Sequence, residues 1–421
     1  MNIGIAAVEA TEILDSRGQP TVQATVMLAN GQRATSSVPS GASTGANEAA
    51  ELRDGDPARY GGRGVRKAIG NIEHVITPVL RGLDVTDQEG IDRALIELDA
   101  TPDKSRLGAN AMLAVSQACA RAAARCRRLP LYACLGGAEA TRLPVPMVNI
   151  VNGGKHADSS LDIQEFMVVP LGAPSFAEAL RYAAETFHAL HKLLRSRGYT
   201  VAVGDEGGFA PLLHSNEEAC ELILDAITLA GYRPGEDIAL ALDAAASSFH
   251  ENGRYKLARL GYRDKSSTEM TALYRQWTTK YPIVSLEDPL AEDDWDGFRA
   301  LTAALGEKVQ IVGDDILVTN TRFIRRAIEE KTCNAALIKL NQIGTVTETV
   351  AAVEMCRRAG WGTVVSHRSG ETGDSFMADF AVAIGSGRVK AGSVCRGERV
   401  AKYNRLLAIE RELGARAQFT R

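Results

Sequence analysis

The sequence predicts an α/β protein: a C-terminal TIM-type β/α barrel preceded by a smaller N-terminal α+β domain. Three observations predict it. Between Ile238 and Lys390, short apolar runs recur at helix-length intervals and keep ending in a residue able to bind a metal or move a proton. Residues 3–40 carry strand-like segments around the turn Asn30-Gly31, and the pattern from Pro57 to Cys134 is helical. A proline-stiffened link, Thr141-Arg-Leu-Pro-Val-Pro-Met, separates these halves, so the domains are expected at 1–135 and 141–421.

In chain order, Thr21-Val-Gln-Ala-Thr-Val-Met-Leu followed by Asn30-Gly31 is a hairpin signal, because that dipeptide accepts the positive φ of a tight turn. Pro39-Ser-Gly-Ala-Ser-Thr-Gly is a loop of small residues that exposes backbone N–H groups and hydroxyls, as anion and metal-phosphate sites do; many such loops are merely flexible. Gly61-Gly-Arg-Gly has neither phosphate-loop nor dinucleotide spacing and reads as a helix approach. The Ala-rich stretch 109–128 ends in Arg-Arg, which suits the C-terminal pole of a helix.

Beyond the link, Val148-Asn-Ile-Val-Asn-Gly-Gly-Lys-His156 ends a strand in a glycine loop, and Gln164-Glu165-Phe-Met-Val-Val starts a strand with a carboxylate. Gly204-Asp-Glu206-Gly-Gly sets two acids among glycines. The five later runs end at Asp243, Glu287, Asp314, Lys339 and His367. Continuous apolarity marks parallel strands buried on both faces, and closure of such strands brings their C-terminal ends to one mouth. A single carboxylate after a strand can equally cap the next helix. Three brought together repel unless a positive charge sits between them, and a hard divalent cation with oxygen ligands answers that need.

The 421 residues suit a barrel of about eight units plus a smaller domain. A formal charge of −4 gives no global bias toward nucleic acid or an anionic membrane. Seven cysteines without a Cys-x-x-Cys pair argue against a disulfide framework or zinc site, and the N-terminus lacks a signal-like pattern. The expectation is a soluble, cytoplasmic chain with no nucleic-acid or membrane partner.

Asp15-Ser-Arg-Gly, Pro39-Ser-Gly-Ala-Ser-Thr-Gly, Leu107-Gly-Ala-Asn-Ala, Gln164-Glu-Phe-Met, Gly204-Asp-Glu-Gly-Gly, Ser285-Leu-Glu-Asp-Pro, Lys339-Leu-Asn-Gln-Ile-Gly and Ser366-His-Arg-Ser-Gly-Glu-Thr together resemble the enolase family over nearly the whole chain. The resemblance implies a barrel whose first units depart from regular βα alternation. It also implies magnesium-dependent dehydration of 2-phospho-D-glycerate to phosphoenolpyruvate, a hydro-lyase reaction of glycolysis. By the same resemblance, Asp243, Glu287 and Asp314 would hold one Mg²⁺ and Ser43 a second that arrives with substrate. Lys339 would be the base at C2, and Glu206, aided by Glu165, the acid side at C3. Lys390 would meet the substrate carboxylate and Arg368 and Ser369 its phosphate, with His156, Gln164 and His367 lining the pocket. Neighbouring cations are expected to lower the pKa of Lys339, and a crowded acidic pocket to keep the leaving-group acid protonated.

Some positions depart from the family pattern. Ser248 and Gly373 stand where glutamates are expected, and Lys155 replaces a small residue. All three shift charge toward positive, which raises an alternative: an enolase-like paralogue dehydrating a more anionic, phosphonylated analogue, 2-phosphonoformylglycerate, to carboxyphosphonoenolpyruvate in phosphonate biosynthesis. An alternative of another class is a non-catalytic binding protein on the same scaffold. The family's homodimer stays open, but its interface ion pairs are lost, with Gln23 facing Ala408 and Thr11 facing Arg411 at the matching positions.

Overall fold

The computed structural model describes residues 3–41, 44–157, 160–257 and 264–419. The chain opens with an antiparallel meander of β1 (Ile5–Leu14), β2 (Pro20–Leu28) and β3 (Arg33–Ser37). Its β2–β3 turn places Gly31 at φ +84°, as the Asn-Gly signal requires. The helix Ala109–Arg127 lies on this sheet and buries most of its length, which its alanines allow by keeping the helix thin. Arg125 and Arg127 occupy its last turn, where the helix dipole favours cations. The glycines 61 and 62 form a turn ahead of the helix Arg66–Asn71, so that run is indeed an approach.

The second half closes an eight-stranded barrel in the ring order β10-β11-β12-β13-β14-β5-β6-β7. The strands are β5 (Val145–Asn152), β6 (Glu165–Val169), β7 (Ala239–Asp243), β10 (Ile283–Glu287), β11 (Gln310–Gly313), β12 (Ala335–Ile338), β13 (Gly362–Ser366) and β14 (Arg388–Lys390). Between β7 and β10 lies a short pair, β8 (His250–Glu251) with β9 (Arg254–Tyr255), and β4 (Arg142–Leu143) pairs with β15 (Gln418–Phe419) just before β5. Every adjacent barrel pair is parallel except those of β6, which runs antiparallel to both neighbours. Two helices, Phe176–Ser196 and Asn216–Leu229, then return the chain to β7. This is the expected departure from βα alternation. Among the described residues no helix is long and apolar enough to cross a membrane.

Strand periodicity explains how the interior is shared. Val145, Met147, Met167, Val169, Ala241, Val312, Ala335, Leu337 and Val364 form one apolar cluster inside the barrel, apart from the larger core between strands and helices. Because inward positions recur every second residue, the inward position above Ala241 is Asp243, above Val312 is Asp314, above Leu337 is Lys339, and above Val364 is Ser366. The apolar layer thus forms the floor under a polar mouth.

The N-terminal half meets the mouth at several points, among them the loop that carries Ser40. Ser40 and Gly370 exchange backbone hydrogen bonds of 2.7 and 2.9 Å. Asp374 accepts from the Ser37 amide at 2.9 Å and from both Arg121 guanidinium nitrogens at 2.8 and 2.5 Å. At Gly136 the backbone approaches so closely that a Cβ would lie 2.1 Å from the Ala383 carbonyl oxygen, which only glycine permits.

Candidate active site

In ring order, three adjacent positions bear the carboxylates Asp243 (end of β7), Glu287 (end of β10) and Asp314 (just beyond β11). Lys339 follows at the end of β12, with Lys390 at the end of β14. Glu165 sits at the start of β6, diametrically across from β12, and joins the same mouth only because β6 runs the other way. Glu165 and Asp243 are register partners, as are Asp243 and Glu287, so the three carboxyls stand side by side.

Lysines knit these acids together. Lys390 Nζ lies 2.9 Å from Asp243 Oδ2, 2.8 Å from both Glu287 oxygens and 3.1 Å from Glu165 Oε2. Lys339 Nζ donates to Asp314 Oδ2 at 2.5 Å, and Gln342 Nε2 donates to the other Asp314 oxygen at 2.8 Å. Buried cations held by several carboxylates keep their charge: burial works to lower both lysines, but Asp314 holds Lys339 above its ordinary range and Asp243 holds Lys390 far above. For Lys339 the ion pair with Asp314 outweighs the nearby Arg368 guanidinium.

Opposite Lys339, His156 Nδ1 stands 3.3 Å from Glu165 and 3.5 Å from Glu206, and His367 Nε2 stands 3.4 Å from Glu206. Burial pushes both histidines below their ordinary range, His367 to about 4. Burial and the neighbouring Glu206 push Glu165 far up, while Glu206, despite its own burial, is kept low by His156 and His367. Two carboxyls so close titrate as a pair, and burial beside Glu206 favours the protonated form of Glu165. The imidazoles face Glu206 and Glu165 stands beside it, so both carboxyls of the expected acid side meet here.

A divalent cation fits the chemistry of the donor set at Asp243, Glu287 and Asp314, all hard oxygen donors, with the Gln164 Oε1 beside them buried and without a hydrogen-bond partner. The tightest groups of three differ from the expected one, however. Among the described residues, ligand atoms within 4.8 Å of one another belong to His156, Glu165 and Glu206, and to Asp288, Asp314 and Asp315. Lys390 draws Asp243 and Glu287 to itself while Lys339 and Gln342 draw Asp314 aside. Asp288 accepts from the Asp314 and Asp315 amides at 2.8 Å each, so it shapes the turn. Ser43 lies outside the described residues.

Arg368 forms a two-pronged pair with Glu48, at 2.9 and 3.1 Å, and reaches Asn341 at 3.1 Å. Ser369 lines the same pocket, with His156, Gln164, His367 and Lys390. Sequence reasoning missed Glu48 and also Arg399, which is fully buried on the helix Gly397–Leu413. Arg399 Nη1 lies 2.5 Å from His367 Nδ1 and 2.5 Å from the Arg368 carbonyl, and its Nη2 lies 2.5 Å from the Ser369 carbonyl. A guanidinium only donates, so His367 Nδ1 accepts and the ring proton sits on Nε2, toward Glu206. One signal could have revealed it: Arg399, Lys402, Tyr403, Leu406, Ile409 and Leu413 share the buried stripe of an otherwise charged helix.

Two family models cover the chain, the enolase N-terminal domain over residues 5–135 and the enolase C-terminal TIM barrel domain over residues 140–421. The chain belongs to the enolase family. Enolase 1 of Methylococcus capsulatus is 67% identical over 421 residues and all of both chains. The enolase of Desulfotalea psychrophila is 61% identical, with 99% of each chain covered. That of Acidothermus cellulolyticus is 58% identical over 99% of this chain and 96% of its own. Membership implies Mg²⁺ dependence and a small phosphorylated substrate. The phosphonylated-analogue and non-catalytic readings gain no support from these enolase relatives. The three departures behind the analogue, Lys155, Ser248 and Gly373, are exposed and absent from the pocket lining. Gly373 does have open space around it.

Proposed function

We infer that this chain is a hydro-lyase that converts 2-phospho-D-glycerate to phosphoenolpyruvate and water. The observation that carries this is the placement of Lys339 and Glu165 at diametrically opposite strands of a single barrel mouth, with Glu206 beside Glu165 and acids bridging the arc between them. Dehydration by proton abstraction needs that separation: the base works at C2 on one side and the leaving hydroxyl at C3 is met on the other.

In this reading Lys339, relieved of its proton, takes the C2 hydrogen, and the electron pair released forms the C2–C3 double bond as the C3 hydroxyl departs. Glu165 and Glu206 supply the proton that turns that hydroxyl into water, with His367 and His156 holding Glu206 in place. Lys390 meets the substrate carboxylate, where negative charge grows as the C2 proton leaves. Arg368 and Ser369 receive the phosphate, the former exchanging Glu48 for it, while Gln164 and His156 orient the substrate. Asp243, Glu287 and Asp314 would hold one Mg²⁺ and Ser43 a second, supplying positive charge beside the carboxylate of the substrate. The domain division at 1–135 and 141–421 is part of the same reading.

The test is the appearance of phosphoenolpyruvate from 2-phosphoglycerate in the presence of magnesium. Turnover abolished by chelation and by Lys339→Ala supports the assignment. Turnover that survives K339A overturns it.

A further inference from the structure

The barrel has a second mouth, at the N-terminal ends of its strands, and its chemistry is unlike the first. A cavity of about 400 Å³ opens there, lined by Arg142, Arg357 and Arg388 together with Gln310, Trp361 and Thr363. Among the described residues, none of those lining it is acidic. Arg388 is the inward residue directly below Lys390 on β14, yet among the described residues its side chain bonds to the neutral amide of Gln310, at 2.7 Å from Nη1, and to no carboxylate. Arg142 comes from β4, and its Nε is buried without a hydrogen-bond partner. Arg357, on the helix Val346–Arg358, pairs with Glu354 outside the cavity and donates to the Ile384 carbonyl at 2.6 Å. Two guanidinium charges therefore face one space with no carboxylate to offset them.

A desolvated cation without a counter-charge is costly, and burial lowers Arg388 to about 10 with no acid opposing it. Arginines that converge on a cavity are stabilised by an anion entering it. Three guanidinium groups from three separate elements suit a ligand whose oxygens point in several directions, as tetrahedral phosphoryl groups do; one planar carboxylate is matched by a single fork. The apolar layer from Val145 to Val364 lies between this cavity and the catalytic mouth.

We propose that the N-terminal mouth of the barrel is a second anion site, in which Arg142, Arg357 and Arg388 bind a small phosphoryl-bearing polyanion, separate from the catalytic pocket. Trp361 provides the readout.

The experiment titrates the full chain, in chelator, with inorganic pyrophosphate and separately with citrate, following tryptophan fluorescence and calorimetric heat. Saturable pyrophosphate binding is expected, with a fluorescence change that Trp361→Phe removes. Arg142→Gln with Arg388→Gln should weaken it at least about tenfold, the loss of a charge-assisted contact. Arg388→Gln alone should leave turnover of 2-phosphoglycerate unchanged, which also reports that the variant is folded. Arg368→Gln, in the catalytic pocket, should leave pyrophosphate binding intact. Absence of saturation, binding abolished by R368Q but not by the double variant, or a fluorescence change that persists in W361F would overturn the site. Citrate binding more tightly than pyrophosphate would overturn the phosphoryl assignment.

Discussion

The two mouths of one barrel handle positive charge in opposite ways. At the C-terminal mouth Lys390 touches three carboxylates and Lys339 a fourth. At the N-terminal mouth Arg388, two residues earlier on the same strand as Lys390, has an amide for company. The lesson is that a strand's inward column fixes only where a side chain points; what it meets depends on which residues the neighbouring strands present at that level. The upper level collects acids from four strands and the lower level collects none, so one is poised for chemistry on the substrate and the other for capture of an anion.

The largest expected effect breaks the upper mouth itself. Lys339→Ala should cut kcat by about 10³–10⁴-fold, the scale of a lost proton-transfer group, and should also abolish exchange of the C2 hydrogen with deuterated solvent. Glu206→Gln sharpens the picture by separating the two sides: product formation should fall by about 10²–10³-fold while C2 exchange persists. Loss of exchange in E206Q would show that the carboxyl pair does not act apart from the base.

Arg399→Gln tests whether the mouth is held from behind. With the guanidinium gone, the His367 tautomer is no longer fixed, and kcat should drop about 10- to 100-fold, the worth of a buried hydrogen bond to a charged group. Arg399→Lys should restore part of this and return the pH profile toward the parent's; a purely structural role would give no such rescue.

Acid should also separate the mouths. Burial places His367 at about 4 in the folded chain against 6.5 ordinarily, so its neutral ring contributes stability above pH 6.5 that is lost as pH falls toward 4. The contribution is roughly 3 kcal/mol, and His367→Asn should flatten the pH dependence of the urea midpoint over that window. The smallest effect belongs to the lower mouth, where R388Q removes an unpaired charge and should change stability by less than about 1 kcal/mol.

Much of this was legible beforehand. The five apolar runs emerge as β7, β10, β11, β12 and β13, each within a residue or two of its expected span, because short runs of continuous apolarity at helix-length spacing fit buried parallel strands. What the sequence concealed has a common cause. Glu48 and Arg399 come from a loop and a late helix, and only the closing of tertiary structure sets them beside Arg368 and His367. The charge states of Lys339 and Glu165 were hidden for a related reason: a pKa depends on which of several nearby groups is closest, and order along the chain does not say. The positive drift read from Lys155 and Ser248 failed because both face solvent.

The reversed direction of β6 has a practical consequence for anyone editing this chain. Glu165, Met167 and Val169 turn inward while Phe166 joins the outer core. A slip of β6 by one residue against β5 and β7 would drive an aromatic ring into the reaction chamber and swing the acid out among the helices. Pairing, more than side-chain identity, is what holds that strand the right way round.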